Sequence, residues 1–325
     1  MKSTKKLLFE HIVNAQRIVS QHIIETPVVY SKVLSEFVGK QIFLKLENQQ
    51  ITGSFKIRGA INAISNLRPE EKKAGVVALS TGNHGRGLAF AAKLMKIKCI
   101  ICMSELVPQN KIDGIKALGA EVRLIGTNQD HAQVEADRLS IEKGMTYISP
   151  FDNIDVIAGQ GTLGLEIYRK IPEVNFAFVP LSGGGLICGV AKALKGLNPN
   201  IKVIGVSMDR GAAMYESQKA GKPIFVKEEE SLADALTGGI GLDNRHTFDL
   251  TKELVDDIVL VSEKEIAQGI HHAYWNESQI VEGAGAVTIA SLLHKRFKTT
   301  GSSIALMCGR NINIDKHFSL ISAKY

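Results

Sequence analysis

Thr52-Gly-Ser-Phe-Lys56-Ile-Arg-Gly-Ala60 sets one lysine between an aromatic residue and a small-residue helix start. It follows Gln41-Ile-Phe-Leu-Lys-Leu-Glu47, whose apolar and polar residues alternate as in a strand. Thr52, Gly53 and Ser54 supply turn and cap chemistry, and residues 57–64 continue with helical spacing. Lys56 is therefore expected at a strand-to-helix junction, where a side chain can enter a cleft. An amine held in a dry pocket loses proton affinity and becomes a nucleophile toward carbonyls. The stretch alone does not separate such a lysine from a solvated one. What accompanies it decides.

Outward from Lys56 the pattern is regular. Residues 7–22 read as a helix and 28–31 as an extended piece. From residue 70 onward, strand-like runs at 75–79, 97–103 and 121–125 alternate with helical ones at 85–95, 109–118 and 129–143. After Pro150 the alternation restarts. Helices are expected at 157–170, 186–194, 212–219, 263–275 and 284–294, and strands at 176–181, 202–207, 257–261 and 303–307. Residues 221–244 are expected to form long loops. Short apolar runs alternating with helices imply an α/β fold with parallel sheets covered on both faces. The expected division is a large domain of residues 1–70 and 151–325 and a small mobile domain of residues 71–150.

The chain has 325 residues, 45% of them hydrophobic and 22% charged, enough for a substantial core in two lobes. No apolar run approaches the roughly 18 residues of a membrane span. Met1-Lys-Ser-Thr-Lys-Lys leads into an amphipathic pattern, not a signal-peptide block, so a cytoplasmic location is expected. The net charge of +6 is spread along the chain without a basic stripe, which argues against nucleic acid. A small anionic ligand suits this balance. Four cysteines do not make a disulfide framework. Cys99 and Cys102 form a C-x-x-C pair inside an apolar run and are expected to pack in the core. No second Cys/His pair at zinc spacing accompanies them.

Three glycine-rich stretches bear on ligands. Gly159-Gln-Gly161-Thr-Leu-Gly164 fits G-x-G-x-x-G, but residues 153–158 read only as a weak strand. The next strand ends without the acid a dinucleotide site needs. Nicotinamide binding by a Rossmann-type protein stays as an alternative. Ser182-Gly183-Gly184-Gly185 links an apolar run to a helix, so its bare amides form either a cradle for one phosphate or a close-packed turn. No Walker lysine follows, so a nucleoside triphosphate is not implied. Ser80-Thr-Gly-Asn-His84-Gly-Arg-Gly87 opens another helix and could hold a substrate carboxylate. Asn83 could donate to a ring oxygen, and His84 is left without a catalytic role.

One nucleophilic lysine, one phosphate cradle and one carboxylate loop together describe a pyridoxal-phosphate enzyme. Over nearly its whole length the chain resembles the fold type II pyridoxal-phosphate family of threonine and serine dehydratases and serine racemase. The matching stretches are GSFKIRGA, STGNHGRG, VPQNKIDGIKALGAEV, SPFDNIDVIAGQGT, VPLSGGGL, QIVEGAGA and CGRNIN, in that order. VSMDRGAAM, GGIGLDNRHTFDL and HAYWNESQIVEGAGA resemble the hydroxyectoine-utilisation dehydratase branch. With the chain ending at Tyr325, no C-terminal regulatory domain is expected.

The resemblance implies a tryptophan synthase β-like fold with two open, twisted, mostly parallel sheets flanked by helices. It implies that Lys56 carries pyridoxal 5'-phosphate and then acts as the base at Cα. Phe55 would pack on the ring and Asn83 partner its phenolic oxygen. Ser182, Gly183, Gly184, Gly185 and Leu186 would hold the phosphate. Ser80, Thr81, Gly82, Asn83 and His84 would hold the substrate carboxylate, with Thr81 where racemases use a serine as second acid/base. Glu282 would face the active site and Cys308 the pyridine nitrogen. A thiol with a reference pKa of about 8.5 stays neutral and stabilises a pyridinium poorly, which suits elimination better than transamination. Ser207, Gly211 and Ala213 align with the racemase metal ligands, so two ligand side chains are missing and no metal is expected. Arg310 replaces a small residue, bringing a cation that either favours a more anionic or longer substrate or pairs with an acid.

The implied activity is α,β-elimination from a β-hydroxy amino acid, L-threonine or L-serine by default, giving a 2-oxo acid and ammonia. The alternatives are a hydroxyectoine-derived substrate, a serine racemase, and a cofactor carrier without turnover. A homo-oligomer, a dimer, is expected, with no nucleic-acid or membrane partner.

Overall fold

In the computed structural model, which describes residues 6–80, 82–107, 109–127 and 129–323, the strands sort into two sheets. The first runs β1 (Val28–Tyr30), β2 (Ile42–Lys45), β10 (Ser303–Leu306), β7 (Phe176–Pro180), β8 (Lys202–Met208) and β9 (Asp257–Val261). Only its β1–β2 pair is antiparallel. The second runs β5 (Glu121–Leu124), β4 (Cys99–Met103), β3 (Val76–Leu79) and β6 (Thr146–Tyr147), parallel throughout. Every strand of the smaller sheet thus comes from the stretch between Lys56 and Pro150, inserted into the larger unit.

Helices cover the sheets, and the central strands are accordingly apolar on both faces. In β4 all five residues are buried. Cys99 packs with Val76, Ala78 and Leu88 on one face, while Cys102 packs with Val77, Ala132 and Ala136 on the other. Strand alternation sends the two thiols to opposite sides, so they share neither a disulfide nor a metal. Both are free and buried, as their apolar setting predicts.

The G-x-G-x-x-G pattern has a different meaning from the one its spacing suggests. Residues 153–158, read as a weak strand, belong to the cap and first turns of the helix Ile154–Lys170. Asn153 caps it, its side-chain oxygen accepting from the N–H groups of Asp155 and Val156. Gly159 and Gly164 lie inside that helix. A Cβ on Gly159 would sit 2.6 Å from the Arg58 carbonyl, and one on Gly164 2.6 Å from the Ala193 Cβ. The glycines let this helix press against the helices Lys56–Ser65 and Gly185–Leu197. They form a packing groove, not a nucleotide loop, and the Rossmann alternative falls with them.

Residues 221–244 are loops apart from the 3-10 turn Asp234–Leu236, as expected. The helices Pro69–Ala74, Thr247–Leu254 and Ile314–Ser322 and the two-residue strand β6 are additional to the pattern read from the sequence. Among the described residues no helix is long and apolar enough to cross a membrane.

Under the first turns of the Lys56 helix lies a fully buried ionic cluster. Arg58 donates to Glu47 through Nε and Nη2 (2.9 and 2.8 Å) and to Glu166 through Nη1 and Nη2 (2.6 and 2.9 Å). Lys45 Nζ donates to Glu166 Oε2 (2.6 Å) and to the Thr26 carbonyl (2.7 Å). Burial opposes ionisation of Glu47, but Arg58 and Lys45 outweigh it and hold its pKa below the ordinary value. Removing one partner from such a cluster leaves a charge without compensation. Arg58→Met is therefore expected to lower stability by about 3–5 kcal/mol, measured by urea unfolding, with no such loss for an exposed arginine such as Arg68.

Candidate active site

The Lys56 helix starts at the lysine itself, and the preceding residues are pinned to the end of β10. The Phe55 N–H donates to the Cys308 carbonyl (3.2 Å), and Ser54 bridges Gly309. This aims Lys56 into a cavity of ≈ 590 Å³ at the C-terminal ends of β3, β7 and β10. Strand ends of this kind are where open α/β sheets bind ligands. The Lys56 amine donates to the Pro150 carbonyl (2.8 Å) and lies 5.2 Å from the Phe55 ring centroid. Burial pushes its pKa down to about 8, with Cys308 and Glu282 opposing.

Beyond β7, Ser182 to Gly184 turn the chain into the helix Gly185–Leu197. Gly184 has φ +89°, a conformation that favours glycine, and caps the helix without a side-chain hydrogen bond. A side chain on Gly183 would collide with the Phe151 ring. The bare amides of Gly183, Gly184 and Gly185 therefore border the cavity at a positive helix end, and their donor set fits one phosphate. Asp152 braces this cradle from behind. Its carboxylate accepts from the N–H groups of Arg245 (2.7 Å), His246 (2.9 Å) and Thr247 (3.0 Å). Thr247 and Thr251 in turn pack against Gly184.

The third side of the cavity is the turn after β3. Ser80 Oγ accepts from the N–H groups of Gly82 (3.3 Å) and Gly85 (2.9 Å), so this hydroxyl organises its own loop. Thr81 lies outside the described residues. Gly82 is open, and Asn83 and His84 are buried. Asn83 sits in a chain of amides and acid. Asn311 Nδ2 donates to Asn83 Oδ1 (2.5 Å), Asn83 Nδ2 donates to Glu282 Oε1 (2.6 Å), and the Asn311 N–H donates to Glu282 Oε2 (2.9 Å). Burial pushes the Glu282 carboxyl up to about 7. His84 Nε2 meets the Ile148 carbonyl at 2.9 Å, and burial beside Lys56 depresses its pKa to about 3. It is a neutral structural group, in keeping with the absence of an expected catalytic role.

Cys308 is buried and its pKa is raised well above the usual thiol value by burial, then by Glu282, so the thiol stays protonated. Phe55, Lys56, Ser80, Gly82, Asn83, His84, the Ser182–Leu186 turn, Glu282 and Cys308 all line the one cavity. Asp152 and Asn311 are the residues that sequence reasoning passed over. Both stand inside quoted motifs, SPFDN and CGRNIN, but their work is to hold other groups and leaves no chemical signature in the chain. At the racemase-type metal positions, Ser207 is buried in β8, Gly211 offers only its backbone carbonyl, and Ala213 has no ligand side chain. Among the described residues no three His, Cys, Asp or Glu side chains converge.

Known proteins resemble this chain along nearly its whole length. A Sinorhizobium fredii protein provisionally named threonine dehydratase is 51% identical over 323 residues, 99% of this chain and 97% of its own. The solved structure of a processed threonine deaminase from Solanum lycopersicum superposes with a TM-score of 0.90 at 35% identity, covering 98% of this chain and 95% of that one. Maize serine racemase gives a TM-score of 0.92 at 32% identity, covering 98% of both chains. The family model described as "Pyridoxal-phosphate dependent enzyme" matches residues 19–309, and the chain belongs to that family.

Proposed function

We propose that the protein is a pyridoxal-phosphate-dependent ammonia-lyase that removes water and ammonia from a β-hydroxy amino acid, with L-threonine and L-serine as reference substrates. The observation that carries this reading is the desolvated Lys56 amine facing a glycine cradle for a single phosphate within one cavity. Similarity to threonine dehydratases and a threonine deaminase supports it.

When bound, the cofactor supplies the electron sink that lets the Cα–H bond of an amino acid break. The amides of Gly183, Gly184 and Gly185 would hold its phosphate, Phe55 would pack on the ring, and the Cys308 thiol would face its nitrogen. Lys56 would hold the group and serve as the base for the Cα proton, for which a pKa near the working pH is suited. A neutral Cys308 thiol would add no charge beside the ring nitrogen, a setting that suits loss of the β-hydroxyl. The loop at Ser80, Gly82, Asn83 and His84 would receive the α-carboxylate, with Glu282 holding Asn83 in place. Thr81 is assigned the second acid/base position on resemblance alone. No metal enters this scheme.

Three further readings accompany the lyase. Residues 71–150 form a small domain that closes on residues 1–70 and 151–325, excluding water from the site. The Lys111–Asp234 ion pair (3.2 Å), which joins the helix Gln109–Lys116 to the large unit, supports such a contact. A homodimer is supported by Trp275, Ile314 and Phe318, large apolar residues exposed on the packed helices Glu263–Trp275 and Ile314–Ser322. The motifs VSMDRGAAM and GGIGLDNRHTFDL support placement beside hydroxyectoine-utilisation dehydratases. That narrower substrate stands or falls with a 2-oxo acid and ammonia screen across β-hydroxy amino acids. Chiral analysis of recovered serine separates racemase from lyase, and absence of ammonia release would leave only a carrier.

Borohydride reduction of the holoenzyme is expected to leave a pyridoxyl group on Lys56, located by peptide mapping. Lys56→Ala should abolish ammonia release without unfolding the protein, and a label on any other lysine would overturn the assignment. Capture of the cofactor by the free protein needs the neutral amine. Its rate should rise about tenfold per pH unit below the Lys56 pKa of about 8 and level off above it, read by absorbance. A flat profile from pH 6 to 9 would contradict a desolvated lysine. Small-angle scattering with and without a substrate analogue should show a dimer that contracts on binding; a monomer, or an unchanged radius, would refute the corresponding reading.

A further inference from the structure

Two guanidinium groups border the cavity without an ion pair among the described residues. Arg86 stands one turn into the helix Asn83–Leu94, in the unit of the smaller sheet. It lies against Gly114, where any side chain would occupy the place of its guanidinium. Burial holds its pKa below the usual arginine value, with Glu282 opposing. Arg310 comes from the unit of the larger sheet, just after Cys308, with its N–H fixed on the Gly53 carbonyl (2.8 Å). Its exposed side chain lines the same cavity. Neither guanidinium forms an ion pair among the described residues.

The other charges of the cavity are already committed. Lys111 pairs with Asp234 at 3.2 Å. Glu282 is occupied by Asn83 and the Asn311 N–H. The glycine cradle packs against Phe151, Met214 and Thr247. A cofactor phosphate and an α-carboxylate placed as above therefore leave Arg86 and Arg310 unmatched. Two guanidinium groups lining one cavity are suited to a further carboxylate. A half-buried arginine without a partner is costly unless a ligand supplies one.

We propose that the substrate is a β-hydroxy amino acid bearing a second carboxylate on its side chain, held by Arg86 and Arg310. The smallest such compound is 3-hydroxyaspartate. This rests on the lyase reading above and names its substrate class. In the reaction the Cα–H and Cβ–O bonds break, Cα=Cβ forms, and the hydroxyl leaves as water with the proton. The released enamine becomes an imine, water adds and ammonia leaves, so 3-hydroxyaspartate yields oxaloacetate and ammonia without any oxidant or reductant.

The test compares kcat/KM of the holoenzyme for L-threonine, L-serine and each diastereomer of 3-hydroxyaspartate. A preference of at least tenfold for one hydroxyaspartate is expected. Arg310→Ala and Arg86→Gln should each cut the ratio of hydroxyaspartate to threonine kcat/KM by at least tenfold, with cofactor absorbance confirming a loaded site. An unchanged ratio, or a wild-type preference for threonine, overturns the proposal. An equal loss on every substrate would make these arginines α-carboxylate groups and overturn it too. Succinate and propionate, titrated calorimetrically into the wild-type holoenzyme, test the anion site without any variant. Succinate should bind at least tenfold more tightly, and equal affinities would refute the site. If no amino acid is turned over while succinate retains its advantage, the lyase reading has failed and the dicarboxylate site has not.

Discussion

Everything at the active site hangs on a four-charge cluster that no solvent reaches. Lys45, Glu47, Arg58 and Glu166 come from β2, the turn after it, the Lys56 helix and the helix Ile154–Lys170. Two cations and two carboxylates leave the cluster neutral, and each acid receives at least two donors. Buried ions gain little net stability over a well-packed apolar core. What they add here is register. Apolar residues can slide past one another by a few tenths of an ångström, whereas a guanidinium shared by two carboxylates has one position. Lys56 is two residues from Arg58 on the same helix, so fixing the guanidinium fixes where the amine enters the cavity.

The same economy holds the rest of the site. Pro150, Phe151 and Asp152 are consecutive, and each reaches a different part of the machinery. Pro150 accepts from the Lys56 amine, Phe151 packs on Gly183 and Gly185, and Asp152 gathers the amides that begin the helix Thr247–Leu254. This is also where the chain returns from the smaller sheet to the larger one. Three residues at a crossover thus tie the lysine and the phosphate cradle to one piece of backbone, so a shift of the crossover moves both together.

The α/β class, the two sheets and most elements were legible because buried parallel strands read as bare apolar runs. Turn and helix-start chemistry then marked their ends. Lys56 and Ser182 to Gly185 stood out because a nucleophile and a phosphate cradle would need such residue types, and the fold brings them to one cavity. Gly159 to Gly164 shows the limit of that approach. Close helix packing and a nucleotide turn both need residues without a Cβ, and the spacing alone does not say which. Asp152 and Asn311 were invisible for another reason. Their partners are backbone amides or residues far away in the chain, as with Asn311 and Asn83. The Thr247–Leu254 helix escaped because it begins on hydrogen bonds to Asp152, supplied from a distant part of the sequence.

Desolvation also decides the charge state of the site, and it acts in one direction. It moves Lys56 down to about 8, His84 down to about 3, Glu282 up to about 7 and the Cys308 thiol well above its usual value. Near neutral pH this leaves His84 and the Cys308 thiol uncharged, while Glu282 and Lys56 are shifted only part of the way toward their neutral forms. Asn83, Asn311 and the glycine amides are neutral by nature. A wall of this kind can orient a cofactor and a substrate through hydrogen bonds while contributing little fixed charge of its own. The fixed charge is left to Arg86, Arg310 and the Lys111–Asp234 pair. Selectivity for the substrate and control of the reacting centre therefore fall to different residues, and the first can change without disturbing the second.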